Sequence, residues 1–175
     1  MKLKKVDFIS FLIIIIGIYI GYKINKEPVN IDLSSSYKKK FSTNDISFNF
    51  SIMSFIFFKN LFVGILLSIG GYLTMGLLTV IVLFTNGYFL GIYFSYFNNS
   101  SLSIIEFSHF FVFHGFIEMY ALILFSRFGY SSLLKKNIID TKIFHHIVSN
   151  LNSLLLPTIL LIIASLIETF LITNF

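Results

Sequence analysis

The sequence has no cysteine among its 175 residues, and only 12% of its residues are charged. The lack of cysteine excludes disulfide bonds, thiolate metal sites and a cysteine nucleophile. Soluble domains carry about 25% charged residues, so this chain has too few charged side chains to build a water-facing surface. A folded basic surface for nucleic acid is excluded for the same reason, although the net charge is +5.

Sequence signals of enzymes are missing as well. There is no glycine-rich loop ending in lysine, so the chain has no ATPase site of its own. Its Ser, His and Asp residues show no nucleophile elbow or triad pattern. We therefore predict a protein that is not an enzyme and has no catalytic residues, no metal site and no cofactor.

Apolar residues dominate what is present. They make up 56% of the chain, and the mean hydropathy is +0.87. Several continuous apolar runs reach about 20 residues, the length of a helix that crosses the hydrocarbon core. Continuous runs favour helices over the alternating pattern of a transmembrane barrel. The predicted fold class is all-α: a polytopic transmembrane helical bundle of about five spans, multi-pass in the cell membrane, with the lipid bilayer as a partner.

The polar segments suggest a division into three parts. Residues 1–22 are predicted to be an N-terminal membrane anchor helix, which is uncleaved because Ile20-Gly21-Tyr22-Lys23 offers no small-residue cleavage site. Residues 23–54 form a polar loop that ends in an interfacial segment. Residues 55–175 form the main membrane domain, with spans near 56–74, 76–97, 104–128 and 154–172.

The apolar region 60–97 can be divided in two ways. A break between Gly71 and Gly76 gives two full spans, whereas a break at Asn86-Gly87, a strong turn dipeptide, gives four spans in all plus a re-entrant half-helix. We favour the first division, because it places Asn86 at a depth similar to that of His114 and Glu118. With the N-terminus inside, seven cationic residues lie inside and five outside, a small excess in the direction of the positive-inside rule. The four-span alternative with the N-terminus outside satisfies this rule better.

Ionisable side chains within the predicted spans are the candidate functional residues. His114 and Glu118 differ by about 40° around a helix axis and about 6 Å along it, so they share a face. Such residues normally face the bundle interior. They can form a polar clasp that fixes helix register, a polar path for protons, ions or a peptide, or a metal site completed by Asn86 or Glu168. The full set of buried polar candidates is Asn86, Gly87, His114, Gly115, Glu118 and Glu168.

Glycines within the spans indicate close helix crossings. Gly17 and Gly21 have the GxxxG spacing that lets a second helix approach closely. The predicted helix-packing positions are Gly17, Gly21, Gly70, Gly71, Gly76 and Gly91.

A set of motifs runs in order along residues 55–173. Phe58-Lys59-Asn60 opens a span, Asn86-Gly87 and His114-Gly115-Phe116-Ile117-Glu118 follow, and Ile167-Glu168 lies in the last span. In this pattern the chain resembles the stage II sporulation protein M family of integral membrane proteins. The sporulation member itself carries Lys-Gly at the second motif and lacks the third. The chain is therefore more similar to the broader family, whose members also occur in bacteriocin export and immunity clusters beside separate ATPases.

The resemblance implies a non-enzymatic membrane subunit that is a component or scaffold of a multiprotein complex. That complex would serve peptide or bacteriocin export or immunity, or cell-wall remodelling in sporulation. Implied partners are other membrane or peripheral proteins, such as a separate ATPase or peptidoglycan hydrolases, and further copies of the chain in a homo-oligomer, but no nucleic acid. The alternatives are a small transporter or channel, and an intramembrane metal-dependent enzyme using His114 and Glu118.

Overall fold

The computed structural model describes residues 3–24, 50–99, 113–134 and 151–174. These residues form five principal helices and contain no strand. The helices are α1 (Leu3–Ile24), α2 (Phe50–Leu73), α3 (Leu77–Asn99), α4 (Phe113–Gly129) and α5 (Leu151–Asn174). A short 3-10 helix, Tyr130–Leu134, follows α4. The predicted all-α fold class is confirmed.

Four of these helices, α1, α2, α3 and α5, are long and apolar enough to cross a membrane. The chain is therefore a helical membrane bundle. Helix α4 has 17 described residues, somewhat fewer than the roughly 20 that a full span needs. Residues 104–112, which the sequence assigns to the same span, lie outside the described residues, so the fifth full span stays a prediction.

The break predicted between Gly71 and Gly76 is confirmed, because α2 ends at Leu73 and α3 begins at Leu77. The re-entrant alternative is wrong, since α3 continues as a helix through Asn86-Gly87. An Asn-Gly pair is a turn signal in water. In hydrocarbon no water is available for the backbone groups that a turn would free, and this favours the unbroken helix.

Backbone hydrogen bonds define the turn between α2 and α3. The Gly76 N–H donates to the Gly71 carbonyl at 2.6 Å, and the Met75 N–H donates to the Tyr72 carbonyl at 3.4 Å. This pair of bonds is the Schellman ending of a helix. It places Met75 at φ 51° and Gly76 at φ 82°, in the left-handed region. The Thr74 hydroxyl then accepts the Leu78 N–H at 3.0 Å in the first turn of α3.

One predicted boundary needs correction. Helix α2 begins at Phe50, so residues 50–54 of the predicted polar loop are helical, and the rest of that loop from residue 25 on lies outside the described residues. The helix begins this early because a buried stripe at four-residue spacing extends the packed face of α2 toward its start. The stripe consists of Ile52, Ile56, Asn60 and Gly64.

The contacts between helices set their directions. Helices α1 and α3 are parallel, because Gly17 meets the backbone at Phe84 and Gly91 meets that at Ile18. Asp7, near the start of α1, contacts Arg127, near the end of α4, so these two helices are antiparallel. The start of α1, the turn after α2 and the end of α4 therefore lie at one end of the bundle, which we call the Asp7 end.

Helix α4 lies at the centre of the bundle, between α1 and the pair formed by α2 and α5. The buried core contains side chains from all five helices: Ile14, Leu67, Leu83, Ala121, Leu122, Phe125 and Leu161. Helix α2 contains a π-helical segment, Leu66–Gly70, of the kind that interrupts regular hydrogen bonding. Within it, the Leu67 carbonyl accepts the Thr79 hydroxyl at 3.0 Å, which ties α2 to α3.

Candidate functional site

Four polar side chains from three helices meet in what we call the polar cluster: Lys59 and Asn60 of α2, Glu118 of α4 and Glu168 of α5. The Asn60 amide interacts with the Glu118 carboxyl, and both carboxyls interact electrostatically with each other and with Lys59. Asn60 is buried, with 5% of its surface exposed, whereas the two glutamates are half-buried and Lys59 is exposed. The structure thus brings together two of the residues predicted from the sequence, Glu118 and Glu168.

Close packing of α2 on α4 brings Asn60 to Glu118. Asn60 lies on the buried stripe of α2, so its side chain faces the bundle. One turn later, a Cβ on Gly64 would lie 2.7 Å from the ring of Phe125, so a larger residue there would have to displace this buried ring of α4. Lys59 precedes Asn60 and is rotated by about 100°, which places its ammonium at the border between the polar cluster and the surface.

The electrostatics of the polar cluster limit its chemistry. Charges in an apolar interior are costly unless they are paired or hydrogen-bonded. Lys59 is the cation that acts on both carboxyls, so two acids share one ammonium. No three His, Asp or Glu side chains are grouped as metal ligands within the part of the chain that the structure describes. The arrangement is suited to joining helices and to exchanging a proton.

Asn86 and Gly87 lie elsewhere. The Asn86 side-chain amide donates to the Val82 carbonyl of its own helix at 2.8 Å. Gly87 faces α1, where an added Cβ would collide with the Ile14 carbonyl. The contacts described for Glu118 come from α2 and α5 instead. The convergence of Asn86 with Glu118 that similar depth led us to expect is therefore not seen.

The His114 motif is only partly described. His114 and Gly115 lie in the first turn of α4, and the backbone spacing of one turn between His114 and Glu118 is present. The His114 side chain lies outside the described residues. Its predicted pairing with Glu118 stays a prediction.

Glycines make the contact between α1 and α3 possible. An added Cβ on Gly17 would approach the Phe84 carbonyl at 2.5 Å, and one on Gly21 would collide with the Tyr88 carbonyl. On α3, a Cβ added to Gly87 or to Gly91 would collide with a carbonyl of α1 in the same way. Each helix thus presents two glycines to the backbone of the other, and backbone meets backbone along this interface.

The remaining predicted packing glycines lie at the Asp7 end. An added Cβ on Gly71 would collide with the Thr79 hydroxyl and approach the Cα of Gly129 at 3.1 Å, so α2, α3 and α4 meet there. A Cβ added to Gly70 would come close only to the flexible end of the Leu78 side chain. Gly76 lies in the turn, where its positive φ requires glycine.

Two polar contacts between α1 and α4 were not predicted. The Arg127 guanidinium donates to both carboxylate oxygens of Asp7, at 2.7 and 2.8 Å. The hydroxyls of Ser10 and Ser126 are 2.7 Å apart in the buried interface. We call these four residues the α1–α4 clasp. One signal was available, since Arg127 is the only arginine in the chain and Asp7 is the one acid in the first apolar span.

The model of a family described as Stage II sporulation protein M matches residues 10–172, nearly the whole chain. The match begins well before residue 55, where the motifs that carry the resemblance begin, and it includes most of α1. No curated protein and no solved structure matches the chain.

Proposed function

Since the chain belongs to the stage II sporulation protein M family, we propose that it is a non-enzymatic integral membrane subunit that acts as a component or scaffold of a multiprotein complex. The observation that carries this proposal is the use of its polar groups. Two polar contacts of the described residues, Asp7 with Arg127 and Asn60 with Glu118, join one helix to another. Interhelical bonds of this kind stabilise a fixed bundle, as a scaffold requires.

The complex is expected to serve one of two processes. One is export of, or immunity to, a peptide or bacteriocin, for which the partner would be a separate ATPase. The other is cell-wall remodelling in sporulation, for which the partners would be peptidoglycan hydrolases. Crosslinking in native membranes, purification of the tagged full-length chain and mass spectrometry of the attached proteins would separate the two.

Glu118→Gln provides the decisive variant for the scaffold proposal. It keeps the shape and the hydrogen-bonding capacity of the side chain but removes the charge and the titrating proton. A scaffold should keep its partners and its cellular phenotype when this variant folds normally. Loss of the phenotype with partners and thermal stability intact would contradict the scaffold proposal, and would assign a chemical role to Glu118.

The polar cluster favours a small transporter or channel as a second candidate function. Two carboxyls that share one lysine can take up and release a proton, and intramembrane acids commonly mark such paths. In proteoliposomes with an internal pH-sensitive dye, this function predicts a proton flux that Glu118→Gln and Glu168→Gln abolish. Asn86→Ala is the control, because Asn86 lies outside the polar cluster. Absence of flux above that of empty liposomes would exclude this candidate.

The metal-dependent enzyme is the third candidate, and it rests on His114 and Glu118. It predicts stoichiometric zinc in the purified chain, measured by elemental analysis, that is lost in His114→Ala. Zinc at stoichiometric amounts would overturn the non-enzymatic proposal. Its absence, together with an absence of hydrolytic activity, would agree with that proposal.

We further propose that the chain is a multi-pass protein of the cell membrane with its N-terminus inside. The native lack of cysteine makes single-cysteine labelling in intact cells direct. Ser35→Cys and Ser100→Cys should react with an impermeant reagent from outside, and Asn137→Cys should not. Labelling of Asn137→Cys from outside would contradict this topology.

A further inference from the structure

A groove of about 310 Å³ lies between α1 and α3, and apolar side chains line it: Ile13, Ile16, Val80, Ile81 and Phe84. Both helices are long and apolar enough to cross a membrane, so the groove opens toward hydrocarbon rather than water. It lies toward the Asp7 end, because Val80 is in the first turn of α3. An apolar groove at this depth can hold a hydrocarbon chain.

An exposed apolar track leads from the groove to a cation. Ile16 and Lys5 are eleven positions apart, which places them about 20° apart around the helix and about 16 Å apart along it. Ile9 and Leu12 lie between them on the same stripe, and these two and Ile16 are 39%, 40% and 51% exposed. Lys5 is also exposed. The stripe therefore ends in an ammonium group one acyl-chain length from the groove.

The local charge is complementary to an anionic headgroup. Lys2, Lys4 and Lys5 lie at the start of the first span in the sequence, whereas Arg127, the cation at the end of α4, is paired with Asp7. Basic residues directly beside a span attract anionic lipids. A long lysine side chain can extend its ammonium to the phosphate level while its methylenes remain in the apolar region.

We propose that this groove binds an acyl chain of an anionic phospholipid whose phosphate group is held by Lys5. A second apolar helix could fill the groove, but it would give Lys5 no countercharge. An anionic lipid provides both the hydrocarbon for the groove and the negative charge at the end of the stripe. This site is separate from the polar cluster and does not depend on the function proposed above.

Native mass spectrometry of the full-length chain tests the proposal. The chain is released from micelles that contain equal amounts of phosphatidylglycerol and phosphatidylcholine with identical acyl chains. We expect the wild type to retain phosphatidylglycerol over phosphatidylcholine by about fivefold, since one lysine near an anionic surface contributes about 1 kcal/mol and about 1.4 kcal/mol is tenfold. Lys5→Gln should bring this ratio close to one, and Lys23→Gln, at the other end of α1, should leave it unchanged.

A tryptophan in the groove should displace the acyl chain. We expect Ile16→Trp to reduce total bound lipid at least fivefold. The matched control is Ile159→Trp, because Ile159 of α5 is 52% exposed and Ile16 is 51% exposed. It should change bound lipid less than twofold. Ile81→Trp, on the opposite wall, serves as a second groove variant if Ile16→Trp does not fold.

Three results would overturn the proposal. The first is equal lipid retention in the groove and control tryptophan variants. The second is an unchanged lipid ratio in Lys5→Gln. The third is a wild-type dimer that dissociates in Ile16→Trp while bound lipid persists, because a second copy of the chain would then be the occupant.

Discussion

The contact between Asn60 and Glu118 gives a quantitative test of the polar cluster. Asn60→Ala removes the amide that interacts with the Glu118 carboxyl, and it leaves that half-buried carboxyl with one partner fewer. Stranding a buried polar group costs about 1–3 kcal/mol, and interhelical hydrogen bonds in membranes contribute about 0.6–2 kcal/mol. We expect Asn60→Ala and Glu118→Ala each to lower the free energy of unfolding by about 1–3 kcal/mol. The double variant should lose less than the sum, by about 1 kcal/mol.

The assay is reversible unfolding of the purified chain in mixed micelles of increasing SDS fraction. Ser54→Ala is the control on α2, because the Ser54 hydroxyl donates to the Phe50 carbonyl of its own helix at 2.8 Å. It should have a small effect that adds to that of Glu118→Ala. Additivity of Asn60→Ala and Glu118→Ala within about 0.3–0.5 kcal/mol would refute the inferred interaction. The same cycle with His114→Ala tests the predicted pairing of His114 with Glu118.

Three further predictions concern the rest of the bundle and use the same unfolding assay. Asp7→Asn and Arg127→Gln should each lower the free energy of unfolding by about 1–3 kcal/mol, because each leaves a charged group without its countercharge and with weaker hydrogen bonds; strict additivity in the double variant would contradict the ion pair. Met75→Gly should raise the free energy of unfolding by about 1 kcal/mol and Gly76→Ala should lower it, since a left-handed conformation costs a residue with a Cβ about 1–2 kcal/mol; a destabilised Met75→Gly would contradict the turn geometry. Gly87→Val should cost more than about 2 kcal/mol because added methyl groups must push α1 away from α3, and an unchanged unfolding midpoint would contradict the close contact.

The helices and their main break could be predicted because hydrocarbon thickness imposes a length on every span. The break at Gly71–Gly76 was predicted from the length of the apolar region. The structure has its break there, although Asn86-Gly87 is the stronger turn signal. Turn propensities measured in water lose their force where no solvent can replace backbone hydrogen bonds. The start of α2 at Phe50 was missed for another reason. The end of the polar loop was interpreted as an interfacial segment, although every fourth residue from Ile52 to Gly64 belongs to a buried stripe.

The candidate site was predicted in part. Two of its acids, Glu118 and Glu168, were identified because ionisable residues are rare in spans. Asn86 was grouped with them by depth alone, but depth does not determine which way a helix faces. Gly87, the next residue, faces α1 at a point where a side chain would not fit. This contact fixes the rotation of α3 about its axis, and Asn86 bonds within its own helix. Conversely, Asn60 was not identified as a partner, although its position on the buried stripe of α2 is readable from the sequence.

Helix α4 takes part in both the polar cluster and the α1–α4 clasp, and this arrangement separates the two leading functions. Glu118 and Arg127 are nine residues apart, which corresponds to about 180° around the helix and about 14 Å along it. The polar cluster and the α1–α4 clasp are therefore on opposite faces of α4 and share no residue. In a fixed scaffold, sites this far apart should contribute independently, so Asn60→Ala and Asp7→Asn should lower the free energy of unfolding additively within about 0.5 kcal/mol. A transporter in which α4 moves between two arrangements would couple the two contacts. A deviation from additivity of about 1 kcal/mol or more, with the wild-type fold retained in each single variant, would count against the scaffold and in favour of a moving α4.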